Sequence, residues 1–340
     1  MQAAEINEYG TAQNVIKIIE DAAIGKPDEK QILVRVFATS VNPIDCAIRS
    51  GYGQDFFKSK GGAEFPIRLG RDIAGYVEAV GGKVTAFKVG DEVYAAVLKG
   101  ATAEYALVDE ADAALKPQCL NFIEAASLPY VALTTWSALV GHVGLNRDNT
   151  KGKRIIIPRG AGGVGSFAIQ LMKAWGAEVA TICSTRNVEL VRGLGADVVV
   201  DYTKADFSKI LYDYDVAFDT AFDTEENLLN SLKKNSAASY VSIVSPKIQM
   251  VDEFGLEKGL EKVAKFYEER VAEQKKMGRD YYWSFMEPNG QALSEIASLV
   301  DEGKIKPVID RVYPMKDIVA AHEFCETKQA QGKIIIQIAT

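Results

Sequence analysis

Two patterns of apolar and polar positions follow one another along the chain. Through about residue 125, short apolar or alternating runs are broken by turn residues. "QILVRVFATSVN" (31–42) and "DEVYAAVL" (91–98) carry the strand pattern, and "VGD" and "GYG" punctuate it. Short strands at this spacing predict a β-rich, barrel-like domain. From about residue 128, strand-like runs alternate with helical ones. The runs are "KRIIIP" (153–158), "EVATIC" (178–183), "DVVVDY" (197–202), "DVAFDT" (215–220), "SYVSIVS" (239–245) and "YYWSFM" (281–286). Between the first two, Val164, Ala168, Leu171, Met172 and Trp175 fall on one helix face. Six strands with helices between them predict an α/β domain built on a doubly wound parallel sheet.

One connection is unusually long. Residues 252–280 are dense in charge, with Leu256, Leu260, Val263 and Tyr267 at helical spacing and Glu261–Lys265 as an i,i+4 pair. They read as a solvated amphipathic helix; the sharper alternative is a lid or a partner-binding insertion. Beyond about residue 305, "KPVIDRVYP" and "GKIIIQI" are strands again. They are expected to return to the first domain, which makes residues 1–127 and 307–340 one domain around residues 128–306.

The totals narrow the function. A net charge of −7 argues against nucleic acid as a main partner, because a polyanion needs a basic face. No apolar run reaches the ~18 residues of a membrane span. The opening "MQAAEINEYG" carries neither an apolar signal core nor an Arg-rich transit pattern, and reads straight into a strand. Cys46, Cys119, Cys183 and Cys325 lie far apart, and the only histidines are His142 and His322. That leaves little for a Cys/His metal site and suggests reduced, mostly buried thiols.

The chemistry concentrates at "PRGAGGVG" (158–165), where four of eight residues are glycine. Gly160, Gly162 and Gly165 form G-x-G-x-x-G between a predicted strand and a predicted helix that begins at Val164, and Gly163 and Val164 are expected to bind the cofactor with them. Gly160 is expected to permit the tight turn, Gly162 to let a pyrophosphate approach the backbone, and Gly165 to let the helix pack on the strand. The helix N-terminus offers free N–H groups and partial positive charge to phosphates. An NAD site usually ends the second strand with a carboxylate for the ribose 2′-OH. Here that strand runs into Ser184, Thr185, Arg186 and Asn187. Hydroxyls and a guanidinium suit a 2′-phosphate, so the expected cofactor is NADPH. Ser242 and Ser245 end the fifth strand, where doubly wound sheets place ligands.

"SVNPIDCAIRSGYG" (40–53), "FPIRLGRDIAGYV" (65–77), "VGDEVYAA" (89–96), "AASLPYVALTTWSAL" (125–139), "GGVGSFAIQLMKAWGA" (162–177) and "LGADVVVDY" (194–202) together span most of the chain. In these stretches it resembles the medium-chain dehydrogenase/reductase superfamily, and within it the zinc-free quinone oxidoreductase branch. "RSGYG", "SLPYVALTTWSA", "QLMKAWGA" and "LVDEGKIKPVI" (299–309) narrow the likeness to mitochondrial members of that branch. The resemblance implies a GroES-like catalytic domain, made from both chain ends, around a Rossmann domain. Zinc-dependent relatives carry a cysteine near the position of Asn42 and a histidine near that of Arg71, so zinc chemistry is not expected. One departure stands out: Arg159 occupies the place where the family's turn usually begins with glycine.

The same resemblance puts Asn42, Asp45 and Tyr52 at the nicotinamide end and Thr134 on the cofactor ribose side, with Tyr52 as candidate proton donor or oxyanion partner. Tyr202 is expected to flank the adenine or the 2′-phosphate, and Lys333 to reach the same end. Three readings stay open. The first is an NADPH-dependent reductase of quinones or related conjugated carbonyls, with a mitochondrial role connected with coenzyme Q implied by family. The second is a C=C reductase of enones or enoyl thioesters. The third is an interaction protein that holds NADPH with little turnover and binds a protein partner through 252–280. An exposed sixth strand would offer an edge for a homodimer.

Overall fold

Strand Gln31–Val41 is the spine of the amino-terminal half. Its run of apolar residues is buried on both faces, and it pairs antiparallel with Asp72–Val80, Tyr105–Asp109 and Lys333–Gln337. The last of these comes from the far end of the chain, and Ile309–Pro314 pairs parallel to it. The computed structural model describes residues 1–59, 64–234 and 237–339. Two units result. One holds Met1–Leu133, Pro288–Gly303 and Pro307–Thr340; the other holds Thr134–Glu287 and Lys304–Lys306.

The first unit is the GroES-like one. Among the described residues its strands form a seven-stranded sheet and a three-stranded one. Ile32, Val34, Val36, Ile73, Val77 and Val93 fill the core beneath the spine. A second core of Ile6, Val41, Ile67, Ile318, Ile334 and Ile336 draws on both chain ends. The sequence-based division differs at helix Gly290–Asp301, which was expected in the nucleotide domain. That helix packs on strand Ala113–Leu115, and Tyr94 Oη donates to Leu293 O at 2.6 Å. A side chain at Gly290 would fall 2.3 Å from Ala113 O, so the approach requires glycine.

The second unit is the doubly wound one. All six strands run parallel, in the spatial order Val198–Asp201, Glu178–Cys183, Arg154–Pro158, Val216–Asp219, Ala238–Ser242, Arg279–Trp283. By chain order that is 3-2-1-4-5-6, and the order reverses between the first and fourth strands. Each observed strand lies within two residues of its expected run at the start, because continuous burial on both faces selects near-continuous apolar sequence.

Residues 247–276 form two helices, Lys247–Phe254 and Leu256–Lys276. Val263 is buried, and Tyr267, Val271 and Trp283 pack against the core that contains Tyr281. Leu260 of the expected stripe is 39% exposed, so the apolar face is narrower than the spacing suggested. Lys265 pairs with Glu269 at 3.9 Å and not with Glu261. Arg270 supplies the firmer tie, donating to Glu225 and Glu226 in the first turn of helix Glu225–Ser231. Strand Arg279–Trp283 ends the sheet.

Candidate functional site

The glycine turn begins where Pro158 ends the first strand of the doubly wound sheet. Arg159 takes a left-handed backbone, with φ of 52°. For a non-glycine residue this costs about 1–2 kcal/mol, which accounts for the family's usual glycine there. The turn still closes, with Gly162 N donating to Arg159 O at 2.9 Å. Gly160 has another reason than turn geometry. A Cβ there would lie 2.1 Å from Thr181 Oγ1 and 2.8 Å from Ile169 Cδ1. At Gly165 it would lie 2.4 Å from Arg159 O and 2.8 Å from Gly160 Cα, so the helix packs directly on the turn. Gly162 differs: its nearest neighbour would be Arg159 O at 3.4 Å. Protein packing therefore requires Gly160 and Gly165 but leaves Gly162 open. Gly162 caps helix Gly163–Ala174, whose first N–H groups, Gly163, Val164 and Gly165, have no partner within the helix.

The second strand ends at Cys183, and Tyr202 N donates to Cys183 O at 3.1 Å. Ser184, Thr185, Arg186 and Tyr202 thus share one edge of the sheet, with Arg186 and Tyr202 exposed. The sequence reading missed Asp201. It ends the neighbouring strand in register with Cys183. Thr185 Oγ1 donates to its Oδ2 at 2.6 Å, and Thr203 donates to Oδ1 through N at 3.0 Å and Oγ1 at 2.7 Å. Hydrogen bonds from Thr185 and Thr203, and Lys204 beside them, hold its carboxyl at about 2. Its side chain is 12% exposed, covered by Thr185, Thr203 and Lys204. This corrects the part expected of Thr185, whose proton goes to Asp201.

Beyond the switch point, Ser242 is buried and its Oγ accepts from Val244 N at 3.1 Å. Ser242 O accepts from Ser284 N at 2.8 Å, and Ser284 Oγ is buried without a partner among the described residues. Thr134 is buried in helix Pro129–Trp136.

The expected catalytic residues lie in the GroES-like unit. Asn42 caps helix Pro43–Arg49, and Asp45 closes the capping box by accepting from Asn42 N at 2.8 Å. The other Asp45 oxygen accepts from Arg71 Nε at 3.1 Å. Burial pushes the Asp45 carboxyl up, while the Arg71 guanidinium and the Asn42 N–H pull it back. Asn42 Nδ2 donates to Asp72 Oδ2 at 3.0 Å and to Ser40 Oγ at 3.3 Å, and its Oδ1 accepts from Lys333 Nζ. Asp72 also accepts from Ser40 Oγ, from Tyr130 N at 2.7 Å, and from Lys333 Nζ at 3.2 Å.

Two buried ion pairs, Asp45–Arg71 and Asp72–Lys333, are thus bridged by one residue, Asn42, through its backbone N–H to Asp45 and its side-chain amide to Asp72 and Lys333. Buried charges persist only when paired and hydrogen-bonded in this way. Three expectations change. Asn42 and Asp45, expected at the nicotinamide end, spend their polar atoms on each other and on this network. Lys333, expected at the adenine end, has its ammonium among Asn42 and Asp72. Arg71 and Asp72 complete this buried network, and the signal was available in "LGRDIAGYV", where two charges interrupt a strand-like run.

Tyr52 follows the helix in a turn with left-handed glycines on both sides, Gly51 at φ 98° and Gly53 at φ 71°, and is half-buried. Arg71 Cζ lies 5.7 Å from the Tyr130 ring centroid. Among the described residues no group of three or more His, Cys, Asp or Glu side chains could hold a metal ion. The cysteines are free; Cys119 is exposed and the other three are buried.

Comparison with known proteins agrees with this layout. The family model described as "Alcohol dehydrogenase GroES-like domain" matches residues 28–118, and that described as "Zinc-binding dehydrogenase" matches 194–336. The mitochondrial NAD(P)H oxidoreductase RTN4IP1 of Danio rerio is 39% identical, over 99% of this chain and 91% of that protein. The chloroplastic NADPH-dependent alkenal/one oxidoreductase of Arabidopsis thaliana is 32% identical, over 99% and 79%. Among solved structures, the quinone oxidoreductase of Coxiella burnetii superposes with a TM-score of 0.81 at 29% identity, covering 99% of each chain. The chain belongs to the medium-chain dehydrogenase/reductase superfamily and, within it, to the family of RTN4IP1.

Proposed function

We propose that this family member is a reductase that prefers NADPH and delivers hydride to a quinone or another conjugated carbonyl. The observation that carries the reading is the contrast among the three glycines. Neighbouring atoms exclude a side chain at Gly160 and Gly165, whereas Gly162 is open beside the helix N-terminus. Such a cradle fits a pyrophosphate. The unpartnered hydroxyl of Ser284, beside Ser242 at the carboxyl ends of the strands, is further support for a ligand there.

In this reading the N–H groups of Gly163, Val164 and Gly165 hold the phosphates. Arg186 and Ser184 take the 2′-phosphate, and Tyr202 covers the adenine. The pairing of Asp201 supports the preference, because its carboxylate is spent on Thr185, Thr203 and Lys204. Thr134 bonds the ribose near the nicotinamide. NADPH bound there supplies the hydride. The chain's own task is to hold the acceptor, exclude water and meet the charge that develops on oxygen. Asn42 and Asp45 hold the buried network of the GroES-like unit, and Tyr52 is its candidate proton donor.

A mitochondrial setting and a link to quinone metabolism are the readings that the names of relatives carry. The edge position of strand Arg279–Trp283 supports pairing across a homodimer. The test is NADPH oxidation against a panel of quinones, enones and enoyl thioesters. Turnover of quinones or enones is expected. Turnover confined to enoyl thioesters, or cofactor binding with every acceptor inert, would overturn the reading.

A further inference from the structure

We infer that Cys46 and Cys325 form a peroxide-sensitive pair, which oxidation closes into a reversible disulfide between the two ends of the chain. The inference is independent of the reductase reading above. Cys46 lies on helix Pro43–Arg49 and Cys325 on helix Ile318–Glu326. Both helices belong to the GroES-like unit, and they pack against each other. Cys46 Sγ sits 3.4 Å from His322 Nδ1 and 3.7 Å from His322 O. Cys325 follows His322 by one helical turn, which sets both on the face that Cys46 touches. The Cys46 thiol reaches that of Cys325 and donates a hydrogen bond to it. Cys119 is exposed beside Asp301, and Cys183 ends a strand of the other unit, so neither competes for this contact.

A disulfide forms without strain only where the backbone already holds two side chains against each other. Core packing does this here, since both thiols share one cluster with Val41, Ile318, Ala321 and Ile334. The two sulfurs are not equivalent. The hydrogen bond from Cys46 holds the Cys325 thiol down, whereas that bond and burial push the Cys46 thiol up. Cys325 is therefore the attacking sulfur and Cys46 the resolving one.

Burial selects the class of oxidant. Cys46 is 5% exposed and Cys325 8%. A bulky disulfide such as oxidised glutathione cannot line up on sulfurs so covered, but hydrogen peroxide is small and uncharged. The Cys325 thiolate attacks one peroxide oxygen. The O–O bond breaks, a sulfenic acid forms, and the departing hydroxide leaves as water with the proton of the Cys325 thiol. Cys46 then attacks the sulfenic sulfur. The S–S bond forms, the S–O bond breaks, and the second hydroxide leaves as water with the proton of Cys46. Two thiols lose two electrons, and one peroxide becomes two waters. The bridge then ties the helix that Asn42 and Asp45 cap to the last helix of the chain.

The experiment treats the reduced full chain with hydrogen peroxide, removes the excess with catalase, and blocks remaining thiols with N-ethylmaleimide in denaturant. Digestion without reductant and mass spectrometry then show which cysteines are joined. The expected result is a peptide pair linked through Cys46 and Cys325, with a loss of two hydrogens, that dithiothreitol separates. Cys119→Ser, which removes the exposed thiol, should leave that pair in place. Cys46→Ala should abolish it and leave Cys325 as a sulfenic or sulfinic acid. The wild-type peptide map stands by itself if Cys46→Ala does not fold. Before reduction the oxidised wild type should melt higher by about 5 °C, because the bridge restrains the unfolded chain. The shift should vanish with dithiothreitol. Recovery of Cys46 and Cys325 as maleimide adducts, at an exposure that oxidises Cys119, overturns the inference. So does a bridge through Cys119, or Cys325 in the wild type passing to the sulfinic acid without joining Cys46.

Discussion

The Lys333 ammonium donates to the side-chain oxygen of Asn42, and this turns the amide so that Nδ2 stands 3.0 Å from Asp72. One neutral side chain therefore joins a base and an acid that come from opposite ends of the sequence. Replacing Asn42 with Leu strips a partner from both. The expected loss is about 2–3 kcal/mol of stability, read as a lower urea midpoint at an unchanged slope. Asn42→Ser, which keeps a small polar group, should lose less.

Gly162 and Gly165 separate binding from folding. Gly165→Ala drives a methyl to 2.4 Å from Arg159 O and should destabilise the chain by about 1–3 kcal/mol. Gly162→Ala meets nothing closer than 3.4 Å. Its melting temperature should stay near wild type, while the dissociation constant for NADPH rises at least tenfold. Fluorescence titration and thermal melts of the two variants check the contrast.

Arg186→Glu should weaken NADPH selectively. Charge-assisted hydrogen bonds contribute about 1.5–3 kcal/mol, so kcat/KM for NADPH should drop roughly 10- to 100-fold. NADH should be used about as before. An equal fall for both cofactors would remove Arg186 from the 2′-phosphate site.

His322 makes stability depend on pH. Burial holds its imidazole down at about 3, and the Arg49 guanidinium adds to this. The unfolded chain takes up that proton near pH 6.5, the folded chain only near 3. Its contribution is therefore complete above pH 6.5 and is lost as pH falls, by up to about 1.4 kcal/mol per unit. Urea unfolding of the wild type at pH 7 and pH 5 should differ accordingly, and His322→Gln should flatten the difference. Asp201 acts in a lower window, between its ordinary value and about 2, so the two effects are separable.

The sequence carried the strands of the doubly wound unit well because their signal is local. Each buried strand must be apolar along its own length, and "KRIIIP" or "EVATIC" can be read without knowing a neighbour. Tyr202 follows the third strand, and its N–H reaches Cys183 O at the end of the second. What stayed hidden depends on partners distant in the chain. Lys333 and Asn42 are 291 positions apart, and a lone lysine before "IIIQI" gives no sign that it is buried. Asp201 ends its own strand and looks like an ordinary turn residue until register sets it beside Cys183. Helix Gly290–Asp301 falls inside the range 128–306 expected of the nucleotide domain. Its affiliation was decided instead by a glycine that lets it reach Ala113.

The account's central claim is that the glycine turn and the end of the second strand select NADPH for hydride transfer to a conjugated carbonyl. The most direct test is kcat/KM for NADPH and NADH, measured side by side with one quinone acceptor. The account predicts a preference for NADPH of at least tenfold. Equal use of NADH, or preference for it, would contradict the account.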